Sequence, residues 1–129
     1  MIIGIGIDAV EIERFKHFAA YSHQKLSRIF SSEEITYCLK DPVKSAERFA
    51  ARFAAKEALY KAFCQALPQQ NMPFLALCKH TSISLQPAPV FKINWKELNR
   101  QPCSVLVAIT HTQKTALAQV IMQAAGEKS

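Results

Sequence analysis

Two carboxylates stand where their surroundings point to chemistry, and the first is Asp8. It follows Gly4 and Gly6 at two-residue spacing, so a strand would place all three on one face that is bare except for the carboxylate. Absent side chains allow another backbone or a ligand to approach closely, and carboxylate oxygen is a suitable ligand for Mg²⁺. The alternative is that Asp8 caps a helix that follows the strand.

The second carboxylate is Glu57, which falls within the apolar stripe of a predicted helix, four residues after Phe53. Burying a carboxylate without a partner is costly, so Glu57 is expected to meet a cation, a metal ion or strong donors. Lys61 lies one helical turn further on and can reach it. The pair is either an ordinary helical Glu–Lys contact worth about 0.2–0.5 kcal/mol, or a metal ligand or base beside a lysine that neutralises phosphate charge.

Basic side chains on the same helix could also meet phosphate. Arg48, Arg52 and Lys56 recur every four residues and would form a ridge, which either holds phosphates or is simply a solvated face. His111 stands in a polar turn between two apolar runs, where it could donate to a phosphate or cap the turn.

The overall charge restricts the kind of partner. Sixteen Lys and Arg against ten Asp and Glu give a net charge of +6, which predicts attraction to an acidic molecule. The sequence has no block of consecutive basic residues, no aromatic-rich RNP-like string and no C2H2 spacing, so specific nucleic-acid signatures are absent. A basic module that binds nucleic acid or an acidic protein, with both carboxylates purely structural, is the rival interpretation.

These side chains must be positioned by a single small domain. The 129 residues, half of them apolar, predict one globular domain over residues 1–129. No apolar run is long enough to cross a bilayer and the first residues do not resemble a secretory signal, so we expect a cytoplasmic protein without a membrane partner. The four cysteines are far apart, which favours free buried thiols.

The elements follow from periodicity and capping signals. Residues 2–7 suit a short strand, and Glu11, Ile12, Phe15 and Phe18 have helical spacing after it. Residues 31–34 have the form of a capping box that starts a helix ending near Leu39. Residues 43–66 contain no Gly or Pro and predict the longest helix.

The second half of the chain is predicted to consist of loops and strands. Residues 68–89 are rich in Pro, Gln and Ser, with a strand around Ile83 and Leu85, and residues 90–93 form another. A short helical turn is expected over residues 95–98. Residues 105–110 and 116–122 suit two antiparallel strands. The predicted class is α+β, with a small antiparallel sheet packed against a long helix.

Taken together, residues 4–14, 30–34, 52–63, 108–112 and 116–118 resemble the holo-[acyl-carrier-protein] synthase family. The resemblance covers nearly the whole chain. It is carried mainly by the G-x-D-x-x-E-x-x-R start from Gly6 to Arg14 and by the F-x-x-K-E-A-x-x-K-A helix from Phe53 to Ala62.

The resemblance implies a phosphopantetheinyl transferase with the fold of that family. Such an enzyme moves 4′-phosphopantetheine from coenzyme A to a serine hydroxyl of apo acyl carrier protein, releases adenosine 3′,5′-bisphosphate and supports fatty acid biosynthesis. Asp8 and Glu57 would hold Mg²⁺ on the pyrophosphate. Glu57 would also activate the serine, and Lys61 would stabilise the departing phosphate.

The resemblance also implies contacts with the two substrates and with other copies of the chain. Arg52, His111 and Thr112 match positions that contact the nucleotide, and Lys44 matches a further basic one. Arg14 matches the position that engages the acidic recognition helix of the carrier protein. The family binds coenzyme A in clefts between subunits, which implies a homotrimer.

One stretch departs from the family pattern. Members usually have a Gly-Lys-Pro turn before a strand in the second half, whereas this chain has QPAPV at residues 86–90 and lacks the lysine. A phosphate or adenine contact made there is expected to be weakened or replaced. A metal-dependent phosphohydrolase, which gives the phosphopantetheine to water, is the remaining alternative.

Overall fold

The computed structural model describes residues 1–124 and shows an α+β fold, as the sequence predicts. A three-stranded antiparallel sheet has the strand order β1-β5-β4, and a separate antiparallel pair joins β2 to β3. The strands are β1 (Ile2–Glu11), β2 (Thr81–Ser84), β3 (Val90–Ile93), β4 (Ser104–His111) and β5 (Thr115–Gln123). The α-helices are α1 (His23–Leu26), α2 (Ser32–Leu39), α3 (Ser45–Ala66) and α4 (Phe74–Lys79).

The long helix α3 lies against one face of the three-stranded sheet, and two glycines set how closely. A Cβ atom added to Gly6 would collide with the backbone carbonyl of Ala58, and one added to Gly4 would collide with that of Ala62. The bare strand face predicted from the sequence therefore receives the backbone of α3. This close contact fixes where residues of β1 and α3 meet.

The core fills the space between α3 and the sheet. Small residues of α3 allow the close approach, and larger side chains of the sheet and the surrounding loops fill the rest. Fully or nearly fully buried members include Val10, Phe15, Phe49, Ala54, Ala58, Leu59, Ala62, Leu77, Ala118, Val120 and Met122.

The prediction of an α-helix directly after β1 is wrong. The strand continues to Glu11, which pairs with Thr115, and two short 3₁₀ helices follow at Ile12–Phe15 and Phe18–Ala20. The three-residue spacing of Ile12, Phe15 and Phe18 matches the period of a 3₁₀ helix, which explains why it resembled an α-helical pattern.

The other helix predictions are mostly confirmed. The capping box is present, with Ser31 and Glu34 each bonding the other's backbone N–H, and α2 ends at Leu39. Helix α3 starts at Ser45, two residues later than predicted, because the Asp41 side chain accepts from the Val43 N–H and holds a turn there. Helices α1 and α4 were missed, and α4 lies within the stretch interpreted as loops and strands.

The strand predictions of the second half are confirmed with small shifts. Strand β2 begins earlier than expected and excludes Leu85, and residues 95–99 form a hydrogen-bonded turn. Strands β4 and β5 form the expected antiparallel hairpin. No helix within residues 1–124 is both long and apolar enough to cross a membrane.

The four cysteines are free but differ in burial. Cys38 and Cys78 are buried as predicted, Cys103 is half-buried, and Cys64 is exposed on α3. Only Cys64 therefore departs clearly from the expectation of buried thiols.

Candidate active site

The Asp8 carboxylate lies inside β1, where the strand crosses α3. Its Oδ1 atom accepts a hydrogen bond of 3.1 Å from Lys61 Nζ, and the same ammonium group donates to the Ile7 carbonyl at 3.0 Å. The Oδ2 atom is buried and has no hydrogen-bond partner among the described residues. The capping alternative for Asp8 is wrong, because the strand continues past it and the next helix is capped at Glu11 without a side-chain bond.

Glu57 faces Asp8 from helix α3 and is half-buried. Burial raises the pKa of Glu57, the negative charge of Asp8 raises it further, and Lys61 and Arg14 act in the opposite direction. Among residues 1–124, Glu57 forms no ion pair. The helical Glu57–Lys61 pair allowed by the spacing does not form, because Lys61 bonds to Asp8 instead.

The basic ridge of α3 is not simply a solvated face, because its members differ in burial and in their partners. Lys56 is fully buried and donates to Glu34 Oε1 at 2.7 Å, to the Ile29 carbonyl at 2.7 Å and to the Thr81 carbonyl at 3.2 Å. Arg48 Nη1 donates to the Tyr37 carbonyl at 3.0 Å. These two members of the ridge therefore tie α3 to neighbouring elements, and both sequence interpretations are wrong for Lys56.

Arg52, the third member, lies between the core and a small cavity. It is 3% exposed and packs on the Tyr37 ring with Cζ at 4.7 Å from the centroid. Its Nε atom is buried without a partner in the described part of the chain. The side chain lines a cavity of about 240 Å³ that also includes Ser84 and Gln86, so a route to a ligand exists from the β2–β3 side.

His111 and Thr112 lie at the end of the β4–β5 hairpin, next to the first turn of α3. They line a cavity of about 510 Å³ together with Val43 and Glu47. The Nε2 atom of His111 lies 2.7 Å from Glu47 Oε1, and its Nδ1 lies 3.2 Å from the Thr112 carbonyl. Lys44, exposed at the N-cap position of α3, stands beside this cavity in sequence.

Arg14 is exposed on the first 3₁₀ helix and lies near enough to Glu57 for its charge to act there. Its charge lowers the pKa of Glu57, and its guanidinium lies over the Phe15 ring at 5.8 Å from the centroid. The structure thus brings together Asp8, Glu57 and Lys61, with Arg14 beside them. Arg52 and the His111 hairpin lie outside this group, and each lines a separate cavity.

The contacts of two acidic residues near these sites were not predicted from the sequence. Glu47 contacts His111, but its position in the first turn of a helix is typical of ordinary dipole stabilisation and gave no separate signal. Glu34 was predicted only as a cap residue, yet its carboxylate also accepts from the Ile83 N–H at 2.8 Å and pairs with Lys56. Because the capping role already accounts for Glu34, its pairing with Lys56 had no separate signal in the sequence.

The family model and the relatives that match this chain point to the same family. The family model described as the 4′-phosphopantetheinyl transferase superfamily matches residues 4–120. The chain is 34% identical over 124 residues to a holo-[acyl-carrier-protein] synthase of Geobacillus sp. strain WCH70, covering 95% of this chain and 98% of the relative. It is 35% identical over 133 residues to the enzyme of the same name from Trichlorobacter lovleyi, with 96% and 99% covered.

Solved structures show the same fold. A holo-[acyl-carrier-protein] synthase of Helicobacter pylori in complex with coenzyme A is 30% identical, with a TM-score of 0.70 and 92% of this chain and 99% of that one covered. The Bacillus anthracis enzyme, in complex with CoA (3′,5′-ADP), has a TM-score of 0.76 at 24% identity over 97% and 99% of the two chains. The similarity to the Bacillus anthracis enzyme shows the fold alone.

Proposed function

The chain belongs to the holo-[acyl-carrier-protein] synthase family of the 4′-phosphopantetheinyl transferase superfamily, and on that premise we propose which reaction it performs. It moves 4′-phosphopantetheine from coenzyme A to a serine hydroxyl of apo acyl carrier protein. The products are holo acyl carrier protein and adenosine 3′,5′-bisphosphate, in support of fatty acid biosynthesis. The observation that carries the proposal is the meeting of Asp8, Glu57 and Lys61, which the two family motifs supply from β1 and α3.

The two carboxylates fit a magnesium ion. Asp8 Oδ2 is a buried oxygen without a partner in the described residues, and Glu57 is an unpaired carboxylate whose charge interacts with that of Asp8. Within residues 1–124 no group of three or more His, Cys, Asp or Glu side chains gathers. Mg²⁺ is commonly held by only one or two carboxylates with substrate phosphates completing its shell, so Asp8 and Glu57 suffice. The ion, when bound, supplies charge neutralisation for the pyrophosphate.

The chain's own residues complete the transfer. The carrier serine oxygen forms a bond to the phosphorus that carries pantetheine, and the bond from that phosphorus to the bridging oxygen breaks. Glu57 accepts the serine proton, a role that its raised pKa favours. The bridging oxygen leaves with the electron pair on adenosine 3′,5′-bisphosphate, and Lys61 stabilises the charge that develops there.

The nucleotide part of coenzyme A is proposed to bind through the two cavities beside the site. His111 and Thr112 line one, Lys44 follows its lining residue Val43 in sequence, and Arg52 lines the other. The β2–β3 connection, which lacks the family lysine, borders the Arg52 cavity through Gln86. Arg52, which itself matches a family position, is proposed to supply a positive charge at the cavity that this connection borders.

The carrier protein is proposed to dock at Arg14. This arginine is exposed, lies near Glu57 and is well suited to bidentate contact with an acidic helix. The net charge of +6 favours an acidic protein partner through the long-range field. We propose that the protein works in the cytoplasm. Neither a nucleic acid nor a membrane is part of the proposed function.

We propose a homotrimer formed through the outer face of the three-stranded sheet. That face, opposite α3, exposes Ile5 at 46%, Ile7 at 55% and Leu106 at 56%. An apolar patch of this kind is typical of a protein interface rather than of a free surface. The proposal treats residues 1–129 as one catalytic domain, three copies of which form the assembly.

Product analysis tests the proposed reaction against hydrolysis. Intact-mass spectrometry of a carrier protein and of its serine-to-alanine variant should show the phosphopantetheine mass only on the former, in step with release of adenosine 3′,5′-bisphosphate. Release of free phosphopantetheine at the same rate with and without carrier would identify a phosphohydrolase instead.

A further inference from the structure

The ammonium group of Lys61 lies against β1 at Asp8, where the proposed function places a metal ion. It donates to Asp8 Oδ1 at 3.1 Å and to the Ile7 carbonyl at 3.0 Å, while Asp8 is only 15% exposed at its side chain. Lys61 itself is 52% exposed, so its stem leaves room for the ammonium group to move away. Lys61 is thus a half-exposed cation bound to a largely buried carboxylate.

A divalent cation and Lys61 need the same carboxylate. Asp8 offers one oxygen that is already bonded to Lys61 and one that is buried without a partner among residues 1–124. Two cations that share one carboxylate at contact distance repel each other, and the interaction is strong in a partly desolvated site. A cation that binds Asp8 therefore weakens the Lys61–Asp8 contact.

Water can solvate the released ammonium group of the half-exposed Lys61, but the anionic substrate offers it a charged partner. Phosphate oxygens of coenzyme A carry negative charge and accept hydrogen bonds from lysine. Without such a partner Lys61 remains an unfavourable neighbour of the metal ion. The divalent cation and coenzyme A thus each improve the binding of the other, because thermodynamic coupling between two ligands is reciprocal.

On this basis, and resting on the proposed function, we propose that Lys61 is an exchangeable counterion that holds Asp8 until metal and coenzyme A bind together. In the metal-free protein it keeps the carboxylate paired. When the divalent cation and the pyrophosphate arrive, Lys61 transfers its hydrogen bond from Asp8 to a phosphate oxygen. The exchange makes the affinity for the metal depend on coenzyme A.

Mn²⁺ binding measured by electron paramagnetic resonance tests this without any turnover. The Lys61→Gln protein should bind Mn²⁺ about three- to tenfold more tightly than the wild type when coenzyme A is absent, since an exposed ion pair of this kind is worth up to about 1 kcal/mol and charge repulsion adds to it. Coenzyme A should tighten Mn²⁺ binding strongly in the wild type and several-fold less in Lys61→Gln.

Two control variants separate the exchange from simpler effects. Arg14→Gln removes a positive charge that also acts on Glu57 but does not bond to Asp8, so it should change Mn²⁺ affinity less than Lys61→Gln does. Gln65→Ala removes the neighbouring contact from α3 to β1, in which Gln65 Oε1 accepts from the Ile5 N–H at 2.7 Å, and should leave Mn²⁺ affinity unchanged.

The outcomes that contradict the proposal are distinct from those that contradict the reaction. Equal or weaker Mn²⁺ binding by Lys61→Gln, or an equal effect of Arg14→Gln, would overturn the exchange while the metal site stands. Undiminished coupling to coenzyme A in Lys61→Gln would overturn it as well. If the wild type bound no Mn²⁺ even with coenzyme A, the metal site itself would be refuted and the exchange with it.

Discussion

Glu57, the proposed general base, is a carboxylate whose ionised form is disfavoured by folding. Burial and the charge of Asp8 both raise its pKa, so its ionised form is less favourable in the folded protein than in the unfolded chain at neutral pH. Glu57→Gln should therefore leave the melting temperature unchanged or higher, while transfer falls about a hundredfold or more. Calorimetry together with a rate measurement checks both. A large loss of stability would show that Glu57 is a structural residue.

Arg14 is expected to affect the carrier protein rather than coenzyme A. The Arg14→Glu variant should raise the apparent KM for carrier protein, about tenfold for each 1.4 kcal/mol lost, with coenzyme A affinity little changed. Lysine should be a poor substitute, because it lacks the planar bidentate fork. Steady-state kinetics and calorimetry measure the two quantities. Loss of coenzyme A binding with unchanged carrier affinity would reverse the placement of the substrates.

The thiols should differ sharply in reactivity. Burial raises the pKa of Cys38 and of Cys78 from 9.0 to about 12, whereas Cys64 is exposed. Since the thiolate is the reactive form, iodoacetamide at about pH 8 should label Cys64 in the native protein and label the two buried thiols only after unfolding. Peptide mass spectrometry reads the sites directly. Rapid native labelling of Cys38 would contradict the packing described for α2.

The buried Lys56–Glu34 ion pair joins helices α2 and α3, and both side chains also bond to the backbone of β2. Lys56→Met would leave the Glu34 carboxylate buried without its cation, and should lower the free energy of unfolding by about 3–5 kcal/mol. Adding Glu34→Gln should recover part of the loss, because the uncompensated charge is then removed. Urea unfolding of the two variants measures the difference. A loss below about 1 kcal/mol for Lys56→Met would show that solvent reaches the pair.

Elements with a strong local signal could be predicted from the sequence. The capping box of α2, the Gly- and Pro-free α3 and the β4–β5 hairpin all appeared close to their predicted bounds. Helices α1 and α4 have 4 and 6 residues and too little periodicity to be recognised. The predicted helix after β1 failed for two reasons: pairing with the distant β5 extends the strand to Glu11, and the three-residue spacing beyond it belongs to 3₁₀ helices.

The residues of the candidate site could be proposed from the sequence, but their contacts could not. Two glycines beside Asp8 and a carboxylate within an apolar stripe indicated both acids. The partner of Lys61 depends on how α3 crosses β1, and helix spacing favoured the wrong neighbour, Glu57. The burial of Lys56 likewise depends on α2 and β2, which the pattern of α3 alone does not contain.

For the whole molecule, the exposed sheet face predicts the assembly. Leu106→Glu places a charge in the proposed interface, far from Asp8 along the sheet, and should give a monomer with greatly reduced transfer. Leu75→Glu, at an exposed leucine of α4 outside that face, should remain trimeric and is the matched control. Light scattering after size exclusion gives the mass of each. A wild-type monomer that is fully active at nanomolar concentration would refute the proposed trimer.

The mass of an apo acyl carrier protein after incubation with this protein and coenzyme A shows directly whether phosphopantetheine is transferred. With Mg²⁺ present, the wild type should add phosphopantetheine to the carrier and release an equal amount of adenosine 3′,5′-bisphosphate. Excess EDTA should stop the reaction, renewed Mg²⁺ should restore it, and Asp8→Asn should be nearly inactive throughout. Undiminished transfer in EDTA, or by Asp8→Asn, would contradict a metal-dependent reaction at the Asp8–Glu57 site.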